Sequence, residues 1–108
     1  MSEVHVCAIL TPAAGKESRL REMLSDLTVK VKQHESDVPK YQLFEQYDSK
    51  TGTNVFVVEE IYKNQAALDA HFKTEYFQEL GKAIPAEELL AAPLNIMTIK
   101  PIAGFASR

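Results

Sequence analysis

The sequence has little of several residue types on which small folds and ligand sites often depend. Its 108 residues include one cysteine, Cys7, and no tryptophan. A single cysteine cannot form an internal disulfide, so the fold must rest on its hydrophobic core, and we expect a reducing, cytoplasmic location. The four glycines are scattered singly, which excludes a glycine-rich phosphate-binding loop.

Charge and hydropathy exclude two further kinds of partner. The formal net charge is −3 and the basic residues are spread along the chain, so no basic stripe could hold a nucleic-acid backbone. The longest apolar candidate for a membrane span, residues 54–58, ends at Glu59 and Glu60 and falls far short of the roughly 18 residues that a span needs. The first residues show no signal peptide. We therefore predict neither a nucleic-acid nor a membrane partner.

The sequence does contain the periodicities of a mixed α/β domain. The clearest helix has an apolar stripe that runs from Leu20 to Val31 at helical spacing. Asn64 can cap a second helix by accepting a hydrogen bond from a first-turn amide. The predicted elements are strands over 4–10, 40–47, 54–62 and 94–100, and helices over about 16–35, after 64, and over 75–84 beyond a kink.

This order of elements predicts one ferredoxin-like α+β domain over residues 1–108, with a four-stranded antiparallel sheet and its helices on one face. The first, third and last strands are apolar on both sides, as residues 55–58 show. Helices cover only one face, and soluble monomers rarely expose an apolar patch of that size. We therefore expect two copies to pack sheet against sheet as a homodimer, with a ligand cavity between sheet and helices.

The segment over 60–77 is the most informative part of the chain. A glutamate, one residue and an aromatic end the third strand, and a polar cap and an Ala-His helix follow. The residues that form this pattern are Glu60, Tyr62, Ala67-Leu68, Ala70-His71, Thr74 and Phe77. The pattern resembles the signature of the antibiotic-biosynthesis-monooxygenase domain family, in which the aromatic is often tryptophan. With the strand order, the resemblance spans nearly the whole chain and implies a dimeric α/β barrel.

The resemblance also implies a chemistry. Monooxygenase members of the family oxidise phenolic, quinol or polyketide-like substrates with molecular oxygen, without metal or flavin, so no cofactor is expected here. The substrate supplies the electrons, because loss of its phenolic proton makes it able to reduce oxygen. The protein must bind a small aromatic molecule in a dry cavity, hold the phenolate and move a proton.

His71 is the first candidate for proton acceptor or phenolate partner, because histidine changes charge near neutral pH; a hydrogen bond to a neighbouring loop is the alternative. Tyr62 is the second, either donating its hydroxyl in the cavity or packing in the core. Glu60, if buried beside Tyr62, needs a partner, and we expect a charge pair across the dimer. The candidates for a wall against a flat ligand are Phe56, Phe72, Tyr76, Phe77 and Met97.

Other functions are weighed on the same residues. His5, His34 and His71 lie on separate elements without the spacing of metal ligands, so no metal site is predicted. Haem-degrading relatives use an asparagine on the first strand and a histidine late in the second helical stretch. In this sequence the first strand has Cys7 rather than an asparagine, and no histidine follows His71. Both differences disfavour the haem-degrading branch. A dimeric barrel that binds a small apolar ligand without turnover remains the non-enzymatic alternative.

Overall fold

The computed structural model describes residues 2–108 and shows a four-stranded sheet with helices on one face. The strand order is β2-β3-β1-β4, and all neighbouring strands are antiparallel. This confirms the ferredoxin-like α+β prediction. The elements are β1 (Val4–Leu10), α1 (Glu17–His34), β2 (Lys40–Glu45), β3 (Phe56–Tyr62), α2 (Gln65–Phe72), α3 (Glu75–Ala86) and β4 (Asn95–Ile99).

The core lies between the helices and the sheet face that meets them, called here the inner face. Side chains alternate along a strand, and every second residue of β1 and β3 is buried on this face. The predicted stripe of α1 packs against them. The buried core residues include Val6, Ala8 and Leu10 on β1, Phe56 and Val58 on β3, and Leu20, Leu24, Leu27 and Val31 on α1.

The β2–β3 hairpin is shorter than predicted at both ends of its turn. β2 ends at Glu45 rather than at Tyr47, which is 90% exposed. The backbone amide of Gln46 still donates to the Val55 carbonyl, but the Val55 amide donates to the side-chain oxygen of Gln46. A side chain thus takes the place of a backbone partner, and the ladder stops there.

A capping side chain begins each of α2 and α3. The Asn64 side chain accepts a hydrogen bond from the Ala67 amide at 2.9 Å, which confirms the predicted cap. Thr74 does the same for α3, where its hydroxyl accepts from the Phe77 amide at 3.3 Å. The expected kink is therefore a break with a new helix start, and α3 runs past the predicted end to include Pro85 in its last turn.

Removal of the α2 cap is expected to destabilise the domain modestly. In Asn64→Ala the Ala67 amide loses its partner, and the free energy of unfolding should fall by about 1 kcal/mol. Urea unfolding at fixed protein concentration measures this change. A loss below about 0.3 kcal/mol would show that water replaces the cap without cost.

The second sheet face, called here the outer face, carries no helix. It is largely apolar, and Ile99, for example, is 50% exposed. The apolar side chains on this face are Cys7, Ile9, Phe44, Val57, Ile61, Met97 and Ile99, as the strand register shows. β1, β3 and β4 thus carry apolar residues on both faces, as their patterns predicted, although the outer face also has polar residues such as Gln42 and Glu59.

Across residues 2–108, no helix has the length and apolar character that a bilayer crossing requires.

Candidate active site

A small pocket lies between the inner face and the helices. Its volume is about 30 Å³, and its wall is apolar except for the side chains of Tyr41 and Glu60. This space suits water molecules but no aromatic ring, because a benzene-sized cavity is about 150 Å³. The cavity expected between sheet and helices is therefore present, but it is too small to hold the aromatic molecule expected there. The apolar wall includes Leu27, Phe72, Phe77, Leu80, Leu94 and Ile96.

The pocket is least enclosed beside β4. This strand forms one edge of the sheet, whereas α1 and α2 lie against β2 and β3. The pocket-lining Leu94 and Ile96 are therefore 38% and 39% exposed. A ligand larger than water has its shortest route into the pocket past these two side chains.

The carboxyl group of Glu60 is buried on the inner face. It shares this face with Val58 and Tyr62, two residues away on either side. The Tyr62 hydroxyl donates to Glu60 Oε1 at 2.5 Å. Burial raises the pKa of Glu60 to about 7, against the opposing effect of the Tyr62 hydrogen bond and with a smaller contribution from the Glu35 charge. The charge pair expected across a dimer is wrong, because this carboxyl points to the helices of its own protomer.

His71 is fully buried on α2 and links two groups from other elements. Its Nδ1 lies 3.0 Å from each carboxylate oxygen of Glu35, the residue after α1. Its Nε2 lies 3.4 Å from the Tyr41 hydroxyl on β2. If Nδ1–H donates to Glu35, Nε2 carries a lone pair that can accept from Tyr41. The order carboxylate, imidazole, hydroxyl is the one that hydrolytic triads use to activate a hydroxyl group.

Two further contacts hold this chain of groups in place. The Tyr76 hydroxyl donates to Glu35 Oε2, so the carboxylate is bonded from two sides. The rings of Phe77 and Tyr62 lie 4.9 and 5.5 Å from the His71 ring, measured between centroids. Burial raises the pKa of Tyr41 well above its usual range, with the Glu60 and Glu35 charges adding to it. It also raises the pKa of Tyr76 to about 12, together with the Glu35 hydrogen bond.

Both residues predicted to be catalytic lie one hydrogen bond behind the pocket wall. Tyr41 stands between His71 and the pocket, and Glu60 stands between Tyr62 and the pocket. Neither Tyr41 nor Glu35 was predicted from the sequence to be a site residue. The sequence signal for these two residues was weak. Tyr41 shares a face with Leu43 on an ordinary amphipathic strand, and Glu35 stands at the end of an ordinary helix.

The residues predicted to form an aromatic wall separate into different environments. Phe72 and Phe77 line the pocket. Phe56 is buried in the main core, and Tyr76 bonds Glu35 from the helix side. Met97 pairs with Cys7 in the β1–β4 register and lies on the outer face, away from the pocket.

A larger groove of about 290 Å³ lies between α1 and α3. Two of its charged side chains, Arg19 and Glu87, bond each other at 3.0 Å, and Arg19 also bonds Glu22 at 2.6 Å. Leu27 and Leu80 line both the groove and the pocket and separate them. The groove is exposed and holds no buried reactive group, so the smaller pocket is the better candidate site.

Fold and site together define an α+β domain in which an acid–base cluster is buried behind an apolar pocket. The profile of the antibiotic biosynthesis monooxygenase family matches residues 4–83. The chain therefore belongs to the antibiotic biosynthesis monooxygenase family.

Solved structures of similar proteins share the whole fold. Rv0793 from Mycobacterium tuberculosis superposes with a TM-score of 0.79 at 27% identity, over 98% of this chain and 100% of that one. A protein from Caulobacter crescentus CB15, described as a candidate antibiotic biosynthesis monooxygenase, has a TM-score of 0.78 at 30% identity, over 94% of this chain and 91% of its own.

A curated relative is similar over part of its length. The uncharacterized protein sll1783 from Synechocystis sp. is 43% identical over 54 residues, which are 50% of this chain and 35% of that protein. The matched segment thus spans about a third of that relative.

Proposed function

We propose that the protein is a cofactor-independent monooxygenase that oxidises a small phenolic, quinol or polyketide-like molecule with molecular oxygen. The observation that carries this proposal is the chain Glu35–His71–Tyr41, which ends on the wall of an otherwise apolar pocket. Membership of the family and the description of the Caulobacter crescentus relative support it.

The hydrogen-bonded groups Glu35, His71 and Tyr41 can take a proton from a phenol without leaving a charge on Tyr41. The substrate hydroxyl gives its proton to the Tyr41 oxygen while the Tyr41 proton passes to Nε2 of His71. A phenolate held by the Tyr41 hydroxyl results, with an imidazolium held by Glu35. Because Tyr41 gives one proton and takes another, it does not become a tyrosinate, which its raised pKa would oppose. His71 is the proton acceptor and Tyr41 the phenolate partner.

The apolar wall favours the electron-transfer part of the reaction. A phenolate that is shielded from water is a stronger reductant, because it loses the hydration that stabilises its charge. It transfers electrons to oxygen, an oxygen atom adds to the ring, and the overall change converts phenol and oxygen to quinone and water. The ring enters past Leu94 and Ile96, whose displacement at the uncovered edge enlarges the pocket.

We test this function by oxygen uptake with a panel of hydroquinones and naphthols. Uptake should exceed autoxidation, measured with heat-denatured protein, and addition of catalase should return no oxygen because the reaction ends in water. If a ligand binds with no uptake above autoxidation, the protein is not an oxygenase for that panel. The largely apolar wall of the pocket makes a protein that binds a small apolar ligand without turnover the second candidate.

The reducing, cytoplasmic location remains a prediction.

We also propose that two copies pair through their outer faces. Ile61 is half-buried on this face, so in Ile61→Lys a buried charge would oppose pairing. The dissociation constant should rise at least about tenfold, since 1.4 kcal/mol already has that effect. Sedimentation equilibrium measures it, with Val29→Lys as the control on the exposed face of α1. A wild-type protein that sediments as a monomer at all concentrations would contradict pairing.

A further inference from the structure

The proton step leaves unused the one carboxyl group on the pocket wall. Glu60 lines the pocket and is 6% exposed. Its structural partner is the Tyr62 hydroxyl, which bonds Oε1. Within residues 2–108, every side-chain nitrogen or oxygen that is fully buried has a hydrogen-bond partner. Oε2 has no bonded partner in this part of the chain and is therefore not fully buried, and because Glu60 lines the pocket a ligand there can approach it.

Glu60 and Tyr41 are neighbours on this wall. They face each other in the β2–β3 register and both line the pocket. Directly opposed residues of adjacent strands have Cβ atoms roughly 4.5–5.5 Å apart. A ring whose oxygen is held by Tyr41 must therefore lie beside the Glu60 carboxyl.

The surroundings of Glu60 favour its neutral form. Tyr62 faces it from its own strand and Tyr41 from β2, and the negative charge of Glu35 acts on it from the end of α1. His71 on α2 lies behind Tyr41, and the side chains that α2 and α3 place on the pocket wall are apolar. A group that is half-protonated near neutral pH can act both as acid and as base.

We propose that Glu60 is a second catalytic residue of the reaction proposed above, acting on the oxygen-derived intermediate after the Glu35–His71–Tyr41 chain has acted on the substrate. The inference rests on that proposed function. Addition of oxygen to the phenolate ring gives a peroxide anion on a ring carbon that still carries its hydrogen. The Glu60 carboxyl protonates this anion.

The same group then completes the step. The Glu60 carboxylate takes the ring hydrogen as a proton, the electron pair of the C–H bond forms the second carbonyl, and the O–O bond breaks with loss of hydroxide. The imidazolium of His71 returns its proton through Tyr41, and the hydroxide leaves as water. Phenol and oxygen have become quinone and water, and both acid–base groups have regained their starting forms.

Two measurements on Glu60→Gln separate this role from the first proton transfer. Without oxygen, 4-fluorophenol is bound and its fluorine NMR shift reports the fraction present as phenolate. Glu60→Gln should form phenolate within about twofold of wild type, because the hydrogen-bonded groups Glu35, His71 and Tyr41 remove the phenolic proton. In oxygen, turnover of an active hydroquinone should fall by about 100- to 1,000-fold, and released hydrogen peroxide per oxygen consumed should rise, because a hydroquinone adduct that goes no further can lose hydroperoxide and leave the quinone. Glu59→Gln, which alters the next carboxyl on the outer face, should match wild type in both.

Each result decides between the two proposals. Wild-type turnover in Glu60→Gln overturns the role of Glu60 and leaves the proposed function standing. Loss of phenolate formation in Glu60→Gln also overturns it, because Glu60 would then be the first base. An absence of oxygen uptake by wild type with every phenol overturns both. If Glu60→Gln does not fold, Glu60→Asp retains a carboxyl and should keep the water-forming reaction, with low peroxide release, at a reduced rate.

Discussion

Replacement of His71 by asparagine is expected to lower turnover of a phenolic substrate by about 100- to 10,000-fold, the usual contribution of a positioned proton acceptor. The asparagine amide can still donate to Glu35 from near the position of Nδ1, which lies 3.0 Å from that carboxylate in wild type. It offers no basic nitrogen to Tyr41. The variant thus keeps the buried hydrogen bond and removes the proton acceptor.

The comparison with His71→Ala separates chemistry from folding. Alanine leaves a cavity and deprives Tyr41 and Glu35 of their shared partner, so this variant should also lose about 1–3 kcal/mol for each unsatisfied group. If proton transfer is the main role, both variants lose turnover to a similar degree although their stabilities differ. His34→Ala, an exposed histidine at the end of α1, is the control. Near-normal turnover in a folded His71→Asn protein would exclude His71 as the acceptor.

The fold was predictable because local patterns agreed with the tertiary arrangement. The stripe of α1, the Asn64 cap and the alternating strands each specify one element, and together they permit few topologies. Boundaries failed where a side chain competed with the backbone. At Gln46 the side-chain amide replaces a ladder carbonyl, and no local pattern reveals that exchange.

The site was only partly predictable because its groups meet through tertiary contacts. His71 and Glu35 are 36 residues apart in the sequence, and His71 and Tyr41 are 30 apart. The family signature identifies His71 and Tyr62, but it does not say that Tyr41 and Glu60 stand in front of them. Whether Glu60 faces the helices or the open face depends on strand parity, which a one-residue shift would reverse.

The buried Glu60 should make the domain less stable as pH rises through the acidic range. Its pKa rises from 4.5 to about 7 on folding, chiefly through burial. Below 4.5 the group is protonated in both states and contributes no pH dependence. Between 4.5 and 7 the unfolded chain has lost the proton that the folded protein keeps, so each pH unit lowers the free energy of unfolding by about 1.4 kcal/mol. Above 7 the penalty is constant at about 3 kcal/mol.

Glu60→Gln tests whether the free energy of unfolding falls with pH because of Glu60. The neutral amide resembles the protonated carboxyl and can still accept a hydrogen bond from Tyr62. The variant and wild type should have similar stabilities at pH 4. By pH 8 the variant should be more stable by about 3 kcal/mol. Urea unfolding at one protein concentration measures the difference, and other titrating groups cancel between the two proteins. Glu59→Gln, which removes the neighbouring carboxyl that bonds Lys40 on the outer face, is the control and should lack the stability gain of Glu60→Gln at pH 8. A Glu60→Gln difference that stays flat or reverses would mean that the carboxyl is ionised in the folded protein below neutral pH. The acid role in peroxide protonation would then lose its physical basis, since the form that donates the proton is the neutral carboxyl, which burial favours in the folded protein.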